Sequence, residues 1–574
     1  MSALRSRVKG DAMNKFESVR TQSHALTCKP RWFCNTVVAG IAAVAIAAAN
    51  QSAMGVGAGI YRPSFPASSH RAYILTPKSG PAAHINSPGV FGVRPGHPVL
   101  FTVEASGERP MQFSATDLPA GLKLNARTGM ITGIVHERGI FRVTLHARNS
   151  DGTASQRFKI VVGHSIALTP PMGWNPYNAF SNNFNQKLIM RQSRDLVREG
   201  LNNYGWNYIC IDDGWQGKRT GPGHAMEPNK RFEHLARMIK RIHAMGLKFG
   251  LYSTPWVTSY AQYPGGSADN PQGLWHKPKR PEHGYTNGRY FPWIVGKYSF
   301  DNADARQWAA WGVDYLKYDW YPNRYAQIYP MYKALRHSGR DIVLSLSNNA
   351  PYKGAAKWTP YANLWRTTGD VRDNWKSLEA RWLTQPKWAP LAGPGHWNDP
   401  DMMTIGWVGW GRLRPTFLTP NEQYTEVSAY CLMAAPLILG CDLNHMDAFT
   451  RSLITNEEVL SVDQDALGVE GVPVNPRGTK ADRQIWVKAL ASGSRAVGLF
   501  NLGSHTTVVS ASWQELKLHG PQEIRDLWRQ KTIGVFNGKF AAQVPGHGVV
   551  LVRITAVQPS IAHGIRRVKT SARE

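Results

Sequence analysis

Between residues 72 and 163 the chain alternates apolar and polar positions with a period of two, in runs such as "VLFTVEAS", "IFRVTLHARNSDG" and "QRFKIVV". Successive side chains on a strand point to opposite faces, so each run has one apolar face. Closely spaced Gly, Pro, Asn and Asp separate the runs, and the pattern predicts a small β-sandwich over 72–163. From Ile166 the pattern changes. Short apolar runs ("YICIDD", "KFGLYS", "DYLKYD", "DIVLSLS", "LWRTTGD", "PLILGCDL") alternate with longer amphipathic segments such as "RFEHLARMIKRIHAMGL" and "NEQYTEVSAYCLMAA". Strands alternating with helices imply βα units on a parallel sheet, and about eight units over roughly 300 residues predict a (β/α)8 TIM barrel over 166–468. Period-two alternation returns over 470–556 ("RQIWVKAL", "RAVGLFNLG", "HGVVLVRIT"), predicting a C-terminal antiparallel β-domain. The fold class is therefore α/β, a barrel flanked by two β-domains. No internal repeat is visible, and no Gly-rich phosphate loop follows the first barrel strand.

The N-terminal pattern is different again. A basic segment over 1–31 precedes "TVVAGIAAVAIAAA" (36–49), an apolar run shorter than the roughly 20 residues that span a bilayer. Small residues follow it. This matches a secretory signal with an extended basic region over 1–52, then a Pro/Ser-rich linker over 53–71. The expectation is an exported protein, periplasmic or extracellular, with no stable membrane insertion after cleavage. An uncleaved anchor is the alternative. Cys28 and Cys34 precede the cleavage region, leaving Cys210, Cys431 and Cys441, too few and too scattered for a disulfide framework.

Composition sharpens the picture in two ways. Hydrophobic residues make up 42% of the chain, enough for a large core, and the 21 Trp and 21 Tyr offer flat amphipathic faces of the kind that line sugar clefts. The net charge of +28 would suit a nucleic-acid partner, but Lys and Arg are scattered. Denser clusters occur only near the ends, in "ALRSRVKG" and in the basic tail over 557–574, and no nucleic-acid-binding motif accompanies them. The charge is read as solubility or adaptation to an acidic exterior, with no nucleic-acid partner.

Barrel enzymes place their chemistry at the C-terminal ends of the strands, and polar residues collect at those ends here. Strand two ends in Asp212 and Asp213, strand four in Lys317 and Asp319, strand five in Ser347 and Asn348, strand six in Arg366 and Asp370, strand seven in Asp399 and Asp401. Taken singly, each group could be a helix cap, a turn residue or an ion pair. Together they converge on one mouth. Two inward carboxylates from different strands are what glycoside hydrolysis requires, one to attack the anomeric carbon or activate water and one to protonate the leaving oxygen. Within "VDYLKYDW" (313–320), Lys317 and Asp319 share a face, so the cation favours the ionised Asp319 and suits it to attack. Asp370 ends a segment with few fixed cations besides Arg366 and is the candidate acid.

The motifs "TPPMGWNPYNAF" (169–180), "IDDGW" (211–215), "DYLKYDW" (314–320), "WRTTGDVRDNW" (365–375), "GHWNDPDMM" (395–403), "CLMAAPLILGCDL" (431–443) and "NEEVLSVDQDALG" (456–468) resemble the α-galactosidase / α-N-acetylgalactosaminidase family, glycoside hydrolase family 27. The resemblance runs from about Ile166 to Thr555. The "LPAGLKLNARTGMITG" segment resembles the immunoglobulin-like modules that accompany bacterial carbohydrate enzymes, which implies a spacer or sugar-adhesion role. The family resemblance implies a retaining α-galactosidase acting on α-galactoside oligosaccharides or polysaccharides. Asp319 would be the nucleophile and Asp370 the acid and then base. Asp212 and Asp213 would accept hydrogen bonds from the 4- and 6-hydroxyls, and Lys317 and Arg366 would hold neighbouring hydroxyls. Trp174 and Met402 would form apolar walls, with Tyr252 and Asp401 completing the pocket. No metal and no organic cofactor is implied. The chain departs from the family pattern at "SNN" (347–349), where many members carry Cys-Glu-Trp. Asn348 stands where a glutamate reads the 2-hydroxyl, which opens the preference at that position. Gly214 stands in the place of a cysteine.

Three other readings remain at this point. One is another family 27 activity: β-L-arabinopyranosidase, isomalto-dextranase or α-N-acetylgalactosaminidase. Keeping both Asp212 and Asp213 favours galactose, since a sugar lacking the 6-hydroxymethyl would leave a partner unpaired. A second is a metal-dependent hydrolase using His396, Asp399 and Asp401. The third is a non-catalytic sugar-binding protein.

Overall fold

The segment after Ile166 folds as eight parallel strands: β1 (Met172–Trp174), β2 (Tyr208–Cys210), β3 (Lys248–Ser253), β4 (Tyr315–Asp319), β5 (Val343–Ser347), β6 (Leu364–Arg366), β7 (Trp397–Asp399) and β8 (Leu437–Leu439). The computed structural model describes residues 59–66, 72–276, 285–286, 289–290, 293–382, 384–474 and 482–557. The expected signal segment, Cys28, Cys34 and the tail from 558 lie outside the described residues. In the sheet, β1 through β7 are neighbours in sequence order and β8 pairs with β1. A parallel bridge from Met403, just past β7, to Leu439 of β8 closes the ring. This is the (β/α)8 barrel that the alternation predicts.

The interior changes character by a rule of two. Reading up each strand, alternate residues point inward: Tyr208, Cys210, then Asp212; Tyr315, Lys317, then Asp319; Val343, Ser345, then Ser347; Leu364, then Arg366; Trp397, Asp399, then Asp401. The lower positions form one apolar cluster that includes Tyr208, Cys210, Tyr315, Val343, Leu364 and Trp397, which plugs the barrel. Gly250 of β3 leaves room for this plug. A Cβ there would lie 2.5 Å from Cys210 Sγ and 3.2 Å from the Tyr315 ring. The outward positions of β4, Leu316 and Tyr318, enter the main core between sheet and helices.

The helices that pack outside include α1 (Gln186–Arg198), α2 (Leu235–His243), α3 (Asp301–Trp311), α4 (Tyr325–Arg336), α5 (Trp375–Trp382) and α6 (Pro420–Leu432). A Thr419–Glu422 capping box starts α6. Its sequence reads as amphipathic, yet all thirteen residues are buried, because the C-terminal domain covers the face that would otherwise meet water. Several of its buried polar groups are paired: Glu426 Oε1 accepts from Thr404 N and Oγ1 at 3.0 and 2.9 Å, and Ser428 accepts from Trp528 Nε1 at 2.8 Å.

The C-terminal domain is a six-stranded sheet with strands 472–473, 483–489, 495–501, 549–556, 522–526 and 531–536 in spatial order, plus a pair formed by 507–512 and 539–544. Part of the expected linker also belongs to this packing. Tyr61 bridges to Ala542 and donates to Asp526 Oδ2 at 2.9 Å, and Tyr73 donates to Asn421 Oδ1 at 2.6 Å on α6. Residues 59–66 therefore run against the C-terminal domain rather than as a free tether; their aromatic residues supply apolar contacts that the Pro/Ser content conceals.

The N-terminal module has a four-stranded sheet (90–93, 152–162, 139–149, 112–116) facing a three-stranded one (98–102, 130–134, 122–124) over its own apolar core. It is seated on the barrel through direct hydrogen bonds. Arg94 N donates to Asp341 Oδ2 at 2.8 Å, Arg94 Nη2 to the Arg340 carbonyl at 2.7 Å, and Thr102 Oγ1 to the Gly246 carbonyl at 3.0 Å. Asp341 precedes β5 and Gly246 precedes β3, so the module covers the N-terminal face, opposite the polar strand ends. Among the described residues no helix is long and apolar enough to cross a membrane, and Cys210, Cys431 and Cys441 are free thiols.

Candidate active site

At the C-terminal face a pocket of about 210 Å³ opens over the plug. Its floor holds Asp212, Asp213, Tyr252, Lys317, Asp319, Ser347, Arg366 and Asp401, and its half-exposed rim includes Asn348, Asp370, Met402, Tyr177, Tyr260 and Trp410. Ten of the eleven sequence-nominated residues meet there. Register accounts for the level of the floor: Tyr252 of β3 pairs with Lys317 of β4, and Asp319 pairs with Ser347 of β5.

Trp174 is the exception. It is fully buried in the core, its indole N–H donating to the Cys441 carbonyl at 2.6 Å, and it does not line the pocket. The aromatic wall on that side is Tyr177, three residues past Trp174 at the start of the single helical turn Tyr177–Phe180, and its ring centroid lies 5.8 Å from Lys317 Nζ. The end of a strand is where its side chains are still enclosed, and the loop beyond it reaches the mouth. Tyr260 and Trp410 were also missed by sequence reasoning. Both come from long connections, after β3 and between β7 and β8, where spacing carries no positional signal.

Lys317 has a different partner from the one its neighbour in sequence suggests. Its Nζ donates to Asp212 Oδ2 at 2.7 Å, which also accepts from Asn175 Nδ2 at 2.9 Å. Burial works against the Lys317 cation, but the carboxylates of Asp212 and Asp319 more than restore it, so its pKa lies above the ordinary lysine value. Asp213 accepts from Ala261 N at 2.7 Å and Gln216 Nε2 at 3.0 Å. Burial still pushes its pKa up to about 6. Arg366 Nη2 bridges Asp401 Oδ2 at 2.9 Å and Asp370 Oδ1 at 3.2 Å. Asp401 also accepts from Val371 N and Met402 N at 2.7 and 2.8 Å, and it adopts φ +94°, a conformation sparsely populated by residues other than glycine.

The two candidate catalytic carboxyls differ sharply in environment. Asp319 is buried, and its Oδ1 has no hydrogen-bond partner. Burial raises its pKa to about 7; Lys317 and Arg366 pull it down, while Asp212 and Asp370 push it up. Asp370 is a rim residue with 61% of its side chain exposed. Burial would raise its pKa too, but Arg366, then Lys317, outweigh that and hold it below the ordinary value. This ordering is the reverse of the charge-based assignment from sequence. The free pocket gives Asp319 no donor in place of the water it has lost, whereas Asp370 keeps both water and a guanidinium. Tyr252 Oη and Arg366 Nε are likewise buried without partners, so a carboxylate oxygen, a hydroxyl and an N–H of the pocket residues are left for a polar ligand.

His396 does not join Asp399 and Asp401. It sits just before β7, donates through Nδ1 to the Ala362 carbonyl at 2.8 Å, and lines a separate cavity with Arg94 and His164. Asp399, at the top of the strand, accepts from Asp401 N at 2.8 Å and braces that residue.

The family described as Alpha galactosidase A matches residues 169–272 and 283–465, the family described as Alpha galactosidase C-terminal beta sandwich domain matches 480–554, and an Ig domain family matches 82–163. Alpha-galactosidase 2 of Arabidopsis thaliana is 34% identical over 405 residues, covering 69% of this chain and 92% of that protein. A Bacteroides fragilis crystal structure is 27% identical with a TM-score of 0.72, covering 85% of this chain and 100% of that one. A family 27 β-L-arabinopyranosidase from Geobacillus stearothermophilus is 27% identical with a TM-score of 0.58, covering 70% of this chain and 98% of that one. With the barrel, the pocket and these matches in hand, the chain belongs to the α-galactosidase family of glycoside hydrolases, family 27.

Proposed function

We propose that this chain is an exported, retaining α-galactosidase that releases terminal non-reducing α-D-galactosyl residues from oligosaccharides or polysaccharides. One observation carries the reading. A buried carboxylate with a free oxygen, Asp319, and a rim carboxylate, Asp370, come from different strands into one pocket.

Asp319 attacks the anomeric carbon as the bond to the leaving oxygen breaks, and Asp370 gives that oxygen its proton. A glycosyl ester forms on Asp319. Asp370, now a carboxylate, takes a proton from water, the resulting hydroxide equivalent attacks the same carbon, and Asp319 leaves ionised. A bound sugar hydroxyl beside Asp319 Oδ1 supplies the missing donor and draws its pKa down. The same sugar displaces water from Asp370 and draws its pKa up, so ligand occupancy sets the protonation order that the chemistry needs. Asp212 and Asp213 accept from the hydroxyls that distinguish galactose, Lys317 and Arg366 hold neighbouring ones, and Asn348, paired to Tyr260 Oη at 3.0 Å, faces the 2-position. Export rests on the basic region and apolar run over 1–52.

The test is the stereochemistry of the first product, followed by proton NMR during hydrolysis of p-nitrophenyl α-galactoside. Release of α-galactose supports retention, and initial β-galactose contradicts it. Faster turnover of the β-L-arabinopyranoside or α-N-acetylgalactosaminide would reassign the sugar.

A further inference from the structure

The loop between β7 and β8 carries a small hairpin, Trp407–Val408 against Arg414–Pro415, whose tip places Trp410 in the wall of the pocket. The tip is built to a fixed shape. Gly409 N and Trp410 N both donate to the Asn178 carbonyl, at 2.8 and 2.7 Å, and Gly411 N donates to the Ala179 carbonyl at 3.0 Å. The hairpin base is held by Arg414, which pairs with Asp373 at 2.6 Å, and by Trp407, stacked on His445 with centroids 4.8 Å apart. Trp410 itself has φ +48°, a left-handed conformation that a bulky residue rarely adopts and that persists only where the surroundings enforce it. The Arg372 guanidinium lies over its ring, 5.0 Å from the centroid.

These contacts place Trp410 on the leaving-group side. Arg372 is two residues from Asp370, and Trp410 lines the same rim as that carboxyl, which gives the departing oxygen its proton in the proposed reaction. The floor carboxylates are buried and surround a sugar-sized space, whereas Trp410, Tyr177 and Asn182 line the half-exposed rim. An amphipathic ring held rigid in the rim is suited to the apolar C–H face of a sugar ring.

We propose that Trp410, backed by Arg372, is a specificity-determining residue that stacks on the leaving-group sugar. The proposal rests on the galactosidase reading, and its test separates the two. The substrates are α-galactosyl fluoride, whose leaving group is a single atom, and a trisaccharide ending in an α-linked galactose. Trp410→Ala is expected to lower kcat/KM for the trisaccharide by about tenfold or more while leaving the fluoride within about twofold. Trp410→Phe, which keeps a ring, is expected to recover most of the trisaccharide rate. Equal losses on both substrates, or no loss on either, would overturn the subsite. Rates are normalised to folded enzyme by active-site titration, so that a loss of folded protein is not counted as a loss on either substrate. A wild-type protein inert toward both substrates would instead overturn the galactosidase reading, and the subsite with it.

Discussion

Asp314 and Asp319 bracket the same barrel strand, five residues apart, and the contrast between them separates what holds this protein together from what it does. Asp314, at the bottom, is saturated: Arg340 Nη2 pairs with one oxygen at 2.6 Å, and His243 Nε2 and Phe249 N meet the other at 2.8 and 2.9 Å. Burial alone would raise its pKa, but these partners, His243 first, hold it below the ordinary value. Asp319, at the top, is as buried but left with an empty oxygen, and its pKa rises to about 7. A buried charge that is fully paired serves the fold, and one left with a free oxygen in the wall of a pocket is available to a ligand. The two faces of the barrel repeat the contrast. The lower face is sealed by the N-terminal module through Arg94 and Asp341, and the upper face exposes Tyr252 Oη, Asp319 Oδ1 and Arg366 Nε to a pocket.

Substitutions at the ends of this strand break the comparison in opposite directions. Asp319→Asn should cut kcat for p-nitrophenyl α-galactoside by about a thousandfold or more while the melting temperature holds or rises, since an unpaired buried charge is removed. Kinetics and calorimetry on one preparation check both halves. Asp370→Asn should lower the rate on sugar leaving groups by about 10²–10⁴-fold, the usual worth of a general acid, and much less on α-galactosyl fluoride, which needs little protonation. An equal loss on both substrates would remove Asp370 from that role. Asp314→Ala should do the reverse: a loss of about 3–5 kcal/mol in unfolding free energy, because Arg340 and His243 lose their partner, with kcat of the folded fraction unchanged. Denaturant titration reads the first and active-site-normalised rates the second.

The smallest expected effect concerns pH. Glu104, buried in the module–barrel seam, has its pKa raised to about 8, by burial first, with Lys248 opposing. A raised carboxyl pKa means the fold prefers the protonated form, so its contribution is full below about pH 4 and is lost as pH rises through 8. Asp463 and Glu470 shift the same way, each to about 8. Asp314 and Asp341 are lowered instead and lose their contribution as pH falls below the ordinary carboxylate range. Stability should therefore peak at mildly acidic pH and decline toward pH 9. Glu104→Gln, which mimics the protonated acid, should match wild type near pH 4 and exceed its melting temperature by a margin that grows up to about pH 8 and persists at pH 9. A variant less stable than wild type at pH 9 would show that the ionised carboxylate is being stabilised in the seam.

Much of this was legible in the residues. The period-two alternation of "YLKYD" already separates Leu316 and Tyr318 from Lys317 and Asp319, and the strand-end rule gathers the carboxylates of four strands at one mouth. Three features were not legible, each for a physical reason. Trp174 and Tyr177 are both aromatic residues at the end of β1, and three residues decide which is sealed in the core and which faces substrate. Lys317 turns across the barrel to Asp212 rather than along its own strand to Asp319, because inward side chains from different strands come closest at the centre. The protonation order of Asp319 and Asp370 depends on which oxygen keeps water, a property of depth that one-dimensional spacing does not encode.

The most direct measurement is to trap the enzyme with a slow-turnover fluorinated galactosyl fluoride and map the adduct by peptide mass spectrometry. The expected result is one fluorogalactosyl group on the peptide carrying Asp319, absent from Asp319→Asn. An adduct on Asp212 or another carboxylate, or inverted product with no adduct at all, would contradict it.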